Sequence, residues 1–251
     1  MTIIRKLLGK LLARTTDKNT PPPAGKRTVD LQTDPDSPRE FGFKMNWFAI
    51  RTTDVDAVLT ALQMGEGREA NWSSGIEAAY SFRAIGFDKD LAFVTPAVNG
   101  WVMVLGATLP YPVMHTDDRH GGIGAAFDQL FARLSASFSE VQFFGSDRRV
   151  GFIAWARHRR GEADRIFAFG DGDVYANVGS QTADETELGL PDVNGLTPEQ
   201  ASEKLFDGEQ PLPDEDVPLQ LAQRWSINPG LLEEMSLPPS CGRVVELHTG
   251  D

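Results

Sequence analysis

The apolar positions of this chain fall into two periods, and the change between them marks its organisation. Residues 91–110, LAFVTPAVNGWVMVLGATLP, hold two apolar runs on either side of Asn99-Gly100. Asn-Gly is the strongest short hairpin signal, because both central positions of a type I′ turn need positive φ. The second run is apolar almost throughout, which predicts a strand with both faces covered. Pro96 removes a ladder donor and places the first run nearer an edge or a bulge.

Around this hairpin, residues 44–52, KMNWFAIRT, have strand composition. Asp54 is placed to cap a short helix carrying Val55, Val58, Leu59 and Leu62 on one face. Residues 72–82 form a second helical pattern, with Ser73 or Ser74 as the cap. Residues 123–138 form the strongest, with Phe127, Leu130, Phe131, Leu134 and Phe138 at helical spacing. Residues 140–144, 151–160, 164–169 and 173–179 then read as strands, with a turn at Asp171-Gly172. The pattern predicts an α+β core domain over residues 40–180: a mainly antiparallel sheet with helices packed on one face.

Beyond residue 180 the texture changes to short helical patterns parted by Pro and Gly. Residues 181–251 read as an acidic helical extension packed on the sheet, with a tail from Pro238. At the other end, residues 1–14, MTIIRKLLGKLLAR, are amphipathic at helical period. Ile3, Ile4, Leu7, Leu8, Leu11 and Leu12 share one face, and Arg5, Lys6, Lys10 and Arg14 occupy the rest. Such a helix suits an anionic membrane surface or a protein groove. Residues 15–39 carry Pro21-Pro22-Pro23, Pro35 and Pro38 with very few apolar residues, and read as a disordered or extended linker.

Charge sharpens this division. Of the 251 residues, 1–39 hold eight Lys/Arg and four Asp/Glu, whereas 181–251 hold three and fifteen. The acidity repels nucleic acid and favours a basic protein partner or simply solubility. Asp214, Glu215 and Asp216, at a helix start, are the candidate partner-binding residues. Cys241 is the single cysteine, which excludes an internal disulfide or a thiolate zinc cluster and fits a reducing compartment. A cytoplasmic location is expected, with peripheral attachment at the inner membrane face where residues 1–14 meet lipid. No apolar run approaches the roughly 18 residues of a membrane span.

Candidate chemistry is sparse. His115, Asp117, Asp118 and His120 lie within six residues before the strongest helix and could offer N and O donors to a divalent metal. Their spacing matches no zinc signature, and a polar loop entering a helix accounts for the same residues. Arg157 to Arg160 form a basic strand end around His158, more often a solvated edge than a phosphate site. No GxSxG, P-loop, GxGxxG or HExxH motif is present. No cofactor is expected.

The segments FGFKMNWFAIR, TPAVNGWVMVLG and EVQFFGSDRRVGFIAWARHRRGEADRIFAFGD resemble stretches shared by a loose set of uncharacterised bacterial proteins. The resemblance covers roughly residues 41–190. It implies a bacterial, intracellular α+β domain and brings no functional residues with it. The favoured function is a non-enzymatic protein-binding module, of the immunity type that masks a basic partner. Two alternatives stand beside it: a peripheral membrane protein that recruits a partner through residues 1–14, and a metal-dependent hydrolase centred on the 115–120 loop.

Overall fold

A computed structural model of the chain describes residues 26–114, 121–159, 161–207 and 212–247. It is an α+β fold built on one nine-stranded sheet, ordered β2-β9-β3-β4-β1-β5-β6-β7-β8, in which every pairing is antiparallel. The strands are β1 (Met45–Arg51), β2 (Arg68–Asn71), β3 (Leu91–Val94), β4 (Trp101–Gly106), β5 (Glu140–Asp147), β6 (Phe152–Arg159), β7 (Glu162–Gly170), β8 (Asp173–Gly179) and β9 (Cys241–Glu246). The helices are α1 (Val55–Leu62), α2 (Trp72–Ala79), α3 (Ile123–Ser137), α4 (Ala183–Glu187), α5 (Pro198–Asp207) and α6 (Asp216–Trp225).

Alternation along the strands divides the apolar side chains between two faces. Leu105, Trp47, Phe144, Trp155 and Phe167 form one row, each opposite the next on neighbouring strands. Within that row Trp47 stacks on Phe144 at 5.2 Å and Trp155 on Phe167 at 4.6 Å. Such cross-strand aromatic pairs pin the register, since a slip of one residue would turn the whole row to the other face. This face is covered by α2 and by the C-terminal extension, through Leu205, Leu221 and Trp225 among others. The opposite face carries Phe48, Ile50, Val104 and Phe143 under Val58, Leu59 and Leu62 of α1 and Phe127, Phe131 and Leu134 of α3. Both faces are therefore buried, and β3 and β4 are buried at every position.

The hairpin signal holds. Asn99 and Gly100 have φ of 47° and 86°, and Val98 and Trp101 exchange backbone hydrogen bonds across them. The edge placement of its first strand does not hold. Pro96 lies beyond the end of β3, which runs between β4 and β9 inside the sheet.

That position is filled by the segment from Pro238, expected as a tail. Residues 241–246 form β9, paired with β2 on one side and β3 on the other. The linker is also corrected in part. Residues 26–39 run along the domain: Gln32 accepts a hydrogen bond from the Asn71 backbone at 2.7 Å, and Asp36 bridges to Ser240. The Asp36 carboxylate also accepts from the backbone N–H groups of Trp72 and Ser73, at 2.6 and 3.1 Å. Those are orphan donors of the first turn of α2, which Asn71 also caps through Ser74 at 3.0 Å, so neither Ser73 nor Ser74 is the cap. The segment reads as a linker because it contributes carbonyls and a carboxylate more than apolar surface. The expected helix at 1–14 and the rest of the linker lie outside the described residues.

Candidate docking cleft at one end of the sheet

Because the strands alternate in direction, one end of the sheet collects the starts of β1, β6 and β8 and the ends of β4, β5 and β7. A cleft of about 480 Å³ opens there, within the size range of ligand pockets. Its aromatic wall is Tyr111, Phe152 and Tyr175. Tyr111 lies 4.6 Å from Phe152, and Tyr175 lies 6.4 Å from each of them, ring centre to ring centre. Gly170 makes room for this cluster, since a Cβ there would come within 3.0 Å of the Tyr175 ring.

The polar groups of the cleft brace its walls. The buried Asn46 amide donates to the Leu109 carbonyl at 2.8 Å, and Ser146 Oγ to the Gly42 carbonyl at 3.0 Å. Gly145 lies against Asn46, where any Cβ would meet its Oδ1 at 2.4 Å. The Tyr80 hydroxyl donates to the Phe43 carbonyl at 2.8 Å, and that of Tyr175 to Asp171 at 3.4 Å. Burial pushes the phenols of Tyr80, Tyr111 and Tyr175 above their ordinary range. The Asp171 carboxylate pushes Tyr111 and Tyr175 further the same way. All three remain neutral donors near neutral pH. At the rim, hydrogen bonds from Arg149 hold the Asp147 carboxyl below the usual carboxylate range, helped by Lys44.

Two exposed apolar residues line this cleft. Among the described residues, the exposed large hydrophobics are Phe43, Ile85, Met114, Val150, Phe206 and Leu212. Ile85 and Val150, 46% and 44% exposed, line the cleft. Phe43 precedes Lys44 at the rim, and the Met114 backbone N–H donates to the Tyr175 carbonyl at 2.8 Å. Phe206 faces the β7–β8 turn, 3.4 Å from where a Gly172 side chain would begin. Leu212 precedes the start of α6, whose Glu215 reaches Arg148 in the β5–β6 turn at 3.8 Å.

The acidic trio from the sequence has local partners. Asp214 accepts a hydrogen bond from the Asp216 backbone at 3.0 Å, a helix-start contact, and Glu215 makes the bridge to Arg148. Asp214 and Asp216 remain exposed beside the cleft end of the molecule. Residues 1–14 and the candidate metal ligands His115, Asp117, Asp118 and His120 lie outside the described residues. Among the described residues, no group of three or more His, Cys, Asp or Glu could hold a metal ion.

The basic strand end is engaged internally. Arg157 and Arg159 both donate to Asp164, at 3.1 and 2.6 Å, and Arg157 lies 4.3 Å over the Trp225 ring. Cys241 lies in β9 and donates to the Thr33 carbonyl at 3.3 Å; burial pushes its thiol up, away from the thiolate a nucleophile needs.

The cleft itself escaped the sequence. Tyr111, Phe152 and Tyr175 come from separate segments and share no spacing. The available signal was the pair of polar turns at Asp147–Val150 and Asp171-Gly172, which the meander brings to the same end.

No protein-family model, curated protein or solved structure matches the chain. No helix among the described residues is long and apolar enough to cross a membrane.

Proposed function

We propose that the chain is a non-enzymatic, cytoplasmic protein-binding module, of the kind that masks a basic partner, and that it docks that partner on the cleft end of its sheet. The observation that carries this reading is the apolar collar. Ile85 and Val150 stand exposed on a preformed aromatic cleft, and exposed Phe43 adjoins its Lys44. Exposed apolar groups gathered at one site, rimmed by charge, mark interaction surfaces; scattered ones need no explanation. The acidic extension adds the electrostatic half, since Asp214 and Asp216 flank the same end and would draw a basic segment toward it.

The partner that fits is an amphipathic segment, apolar on one face and basic on the other. Its apolar residues would fill the cleft, where hot-spot energy concentrates, and its cations would meet Asp214 and Asp216, beyond a rim in which Asp147 and Asp171 are balanced by Lys44 and Arg149. The test is affinity capture from the native host with wild-type protein and Ile85→Asp/Val150→Asp, checking both by circular dichroism for a retained fold. A basic protein recovered by the first and lost with the second is the expected result. Equal recovery by both would end the reading.

A further inference from the structure

We propose that the cleft is also a small-molecule site, taking an uncharged aromatic molecule that donates an N–H or O–H hydrogen bond to Asn46 Oδ1. The inference goes beyond the docking reading and does not depend on it.

One buried amide sets what the cleft can read. Asn46 lies in β1, lines the cleft and is only 6% exposed. Its partners in register are Gly106 on β4 and Gly145 on β5, so no side chain flanks it on either neighbouring strand. At Gly145 a Cβ would collide with Oδ1 itself. The Asn46 amide nitrogen is spent on the Leu109 carbonyl at 2.8 Å, which fixes the orientation of the side chain. Oδ1 accepts no hydrogen bond among the described residues. A buried acceptor left without a donor costs free energy, and a ligand that supplies the donor recovers it.

The other polar groups of the lining point the same way. The hydroxyl protons of Ser146, Tyr80 and Tyr175 are already given to Gly42, Phe43 and Asp171. What these groups still offer a ligand is lone pairs, so the site reads donors. Charge selects neither sign. Lys44 and Arg149 stand against Asp147 and Asp171 in the lining, and Arg149 is bound to Asp147 at 2.9 Å. The remaining surface is apolar or aromatic. Half-buried Tyr80, Phe82 and Tyr111 offer ring surface beside Ile85 and Val150. A cavity of about 480 Å³ with such walls suits a flat, largely apolar body of more than one ring.

The experiment titrates two probes into the isotope-labelled full chain and follows its amide resonances. The probes are indole and 1-methylindole, which keeps the ring and lacks the N–H. Indole should shift residues 44–46, 80–85 and 146–152. The methylated ring should bind about five- to tenfold more weakly, the effect of one hydrogen bond. Asn46→Leu removes the acceptor and should erase that difference. Should Asn46→Leu fail to fold, phenol against anisole repeats the comparison on the wild-type chain, with the same preference for the donor expected. Equal affinities within both pairs would overturn the inference, as would no binding of either indole at millimolar concentration. Shifts confined to residues 57–63 and 133–138, the groove between α1 and α3, would place the rings elsewhere and have the same consequence. Tighter binding of benzoate or benzylamine than of indole would overturn the uncharged ligand. If Ile85→Asp/Val150→Asp loses its protein partner while the probe pairs show no difference, the docking reading stands and this site falls. If the probes discriminate and the partner is retained, the site stands and the docking reading falls.

Discussion

Arg165 on β7 and Glu185 in α4 meet at 2.9 Å with both side chains only 1% exposed. Both groups make further hydrogen bonds inside the protein. Arg165 also donates to Asn177 at 2.7 Å and to the Val178 carbonyl at 3.2 Å. Glu185 also accepts from the Trp155 indole at 3.0 Å and from the Thr182 backbone at 2.8 Å. The latter closes a capping box at the start of α4. One carboxylate thus ties the acidic extension to the aromatic row of the sheet.

Removing one partner of such a pair strands the other in a low dielectric. Glu185→Ala should therefore cost about 3–5 kcal/mol in urea unfolding. Glu185→Gln should cost less, because its carbonyl oxygen can still accept from Trp155 or Thr182. Equal losses would mean that charge, and not hydrogen bonding, dominates the network.

The Asn99-Gly100 turn gives a cleaner backbone test. A Cβ at Gly100 would meet nothing within 4 Å, so the penalty of a side chain there is conformational alone. Gly100→Val, a β-branched residue at positive φ, should lower stability by about 1–3 kcal/mol. A loss below a few tenths, on the order of an ordinary surface change, would show that the turn relaxes freely.

At Gly242 the constraint is space. A Cβ there would lie 2.3 Å from the Val94 carbonyl oxygen and 2.6 Å from the Phe93 ring. Gly242→Ala should cost about 1–3 kcal/mol by overpacking, and deletion of residues 241–251 should abolish cooperative unfolding altogether. A truncated chain with a wild-type melting curve would contradict the placement of β9.

The cleft tyrosines set the alkaline limit of stability. An acid whose pKa is raised by folding holds its proton longer in the folded state, so its contribution is present below the unfolded value of 10.0 and fades as pH rises above it. The urea midpoint should therefore fall above about pH 10. Tyr175→Phe should flatten that fall and remove the latest-titrating step from the phenolate absorbance. An unchanged profile would mean that Tyr175 titrates as an exposed phenol.

What the sequence made legible follows from how local each signal is. The 91–110 hairpin, the meander from Glu140 to Gly179 and helices α1 and α3 each carry a period or a turn inside their own residues, and each is found where expected. The strand β2, Arg-Glu-Ala-Asn, has a single apolar residue, and β9 has two valines beside Gly and Arg. Neither has a period of its own. Both are strands because each pairs with the other and β9 with β3, a relation between residues far apart in the chain. The cleft was hidden for the same reason, since its wall is assembled from the ends of several strands. The acidic trio was visible, yet Glu215 reaches Arg148, a contact that no local pattern announces.

The placement of β9 also sets the order in which the protein can be completed. During synthesis β3 emerges well before β9, with apolar side chains buried on both faces in the finished sheet and one edge waiting for a partner far downstream in the sequence. That edge stays open until the ribosome has reached residues 241–246, and such edges invite pairing with other nascent chains. Long-range closure of this kind is slow. The sheet is thus sealed only once β9 has been made, and a chain cut short of residue 241 keeps a sticky open edge.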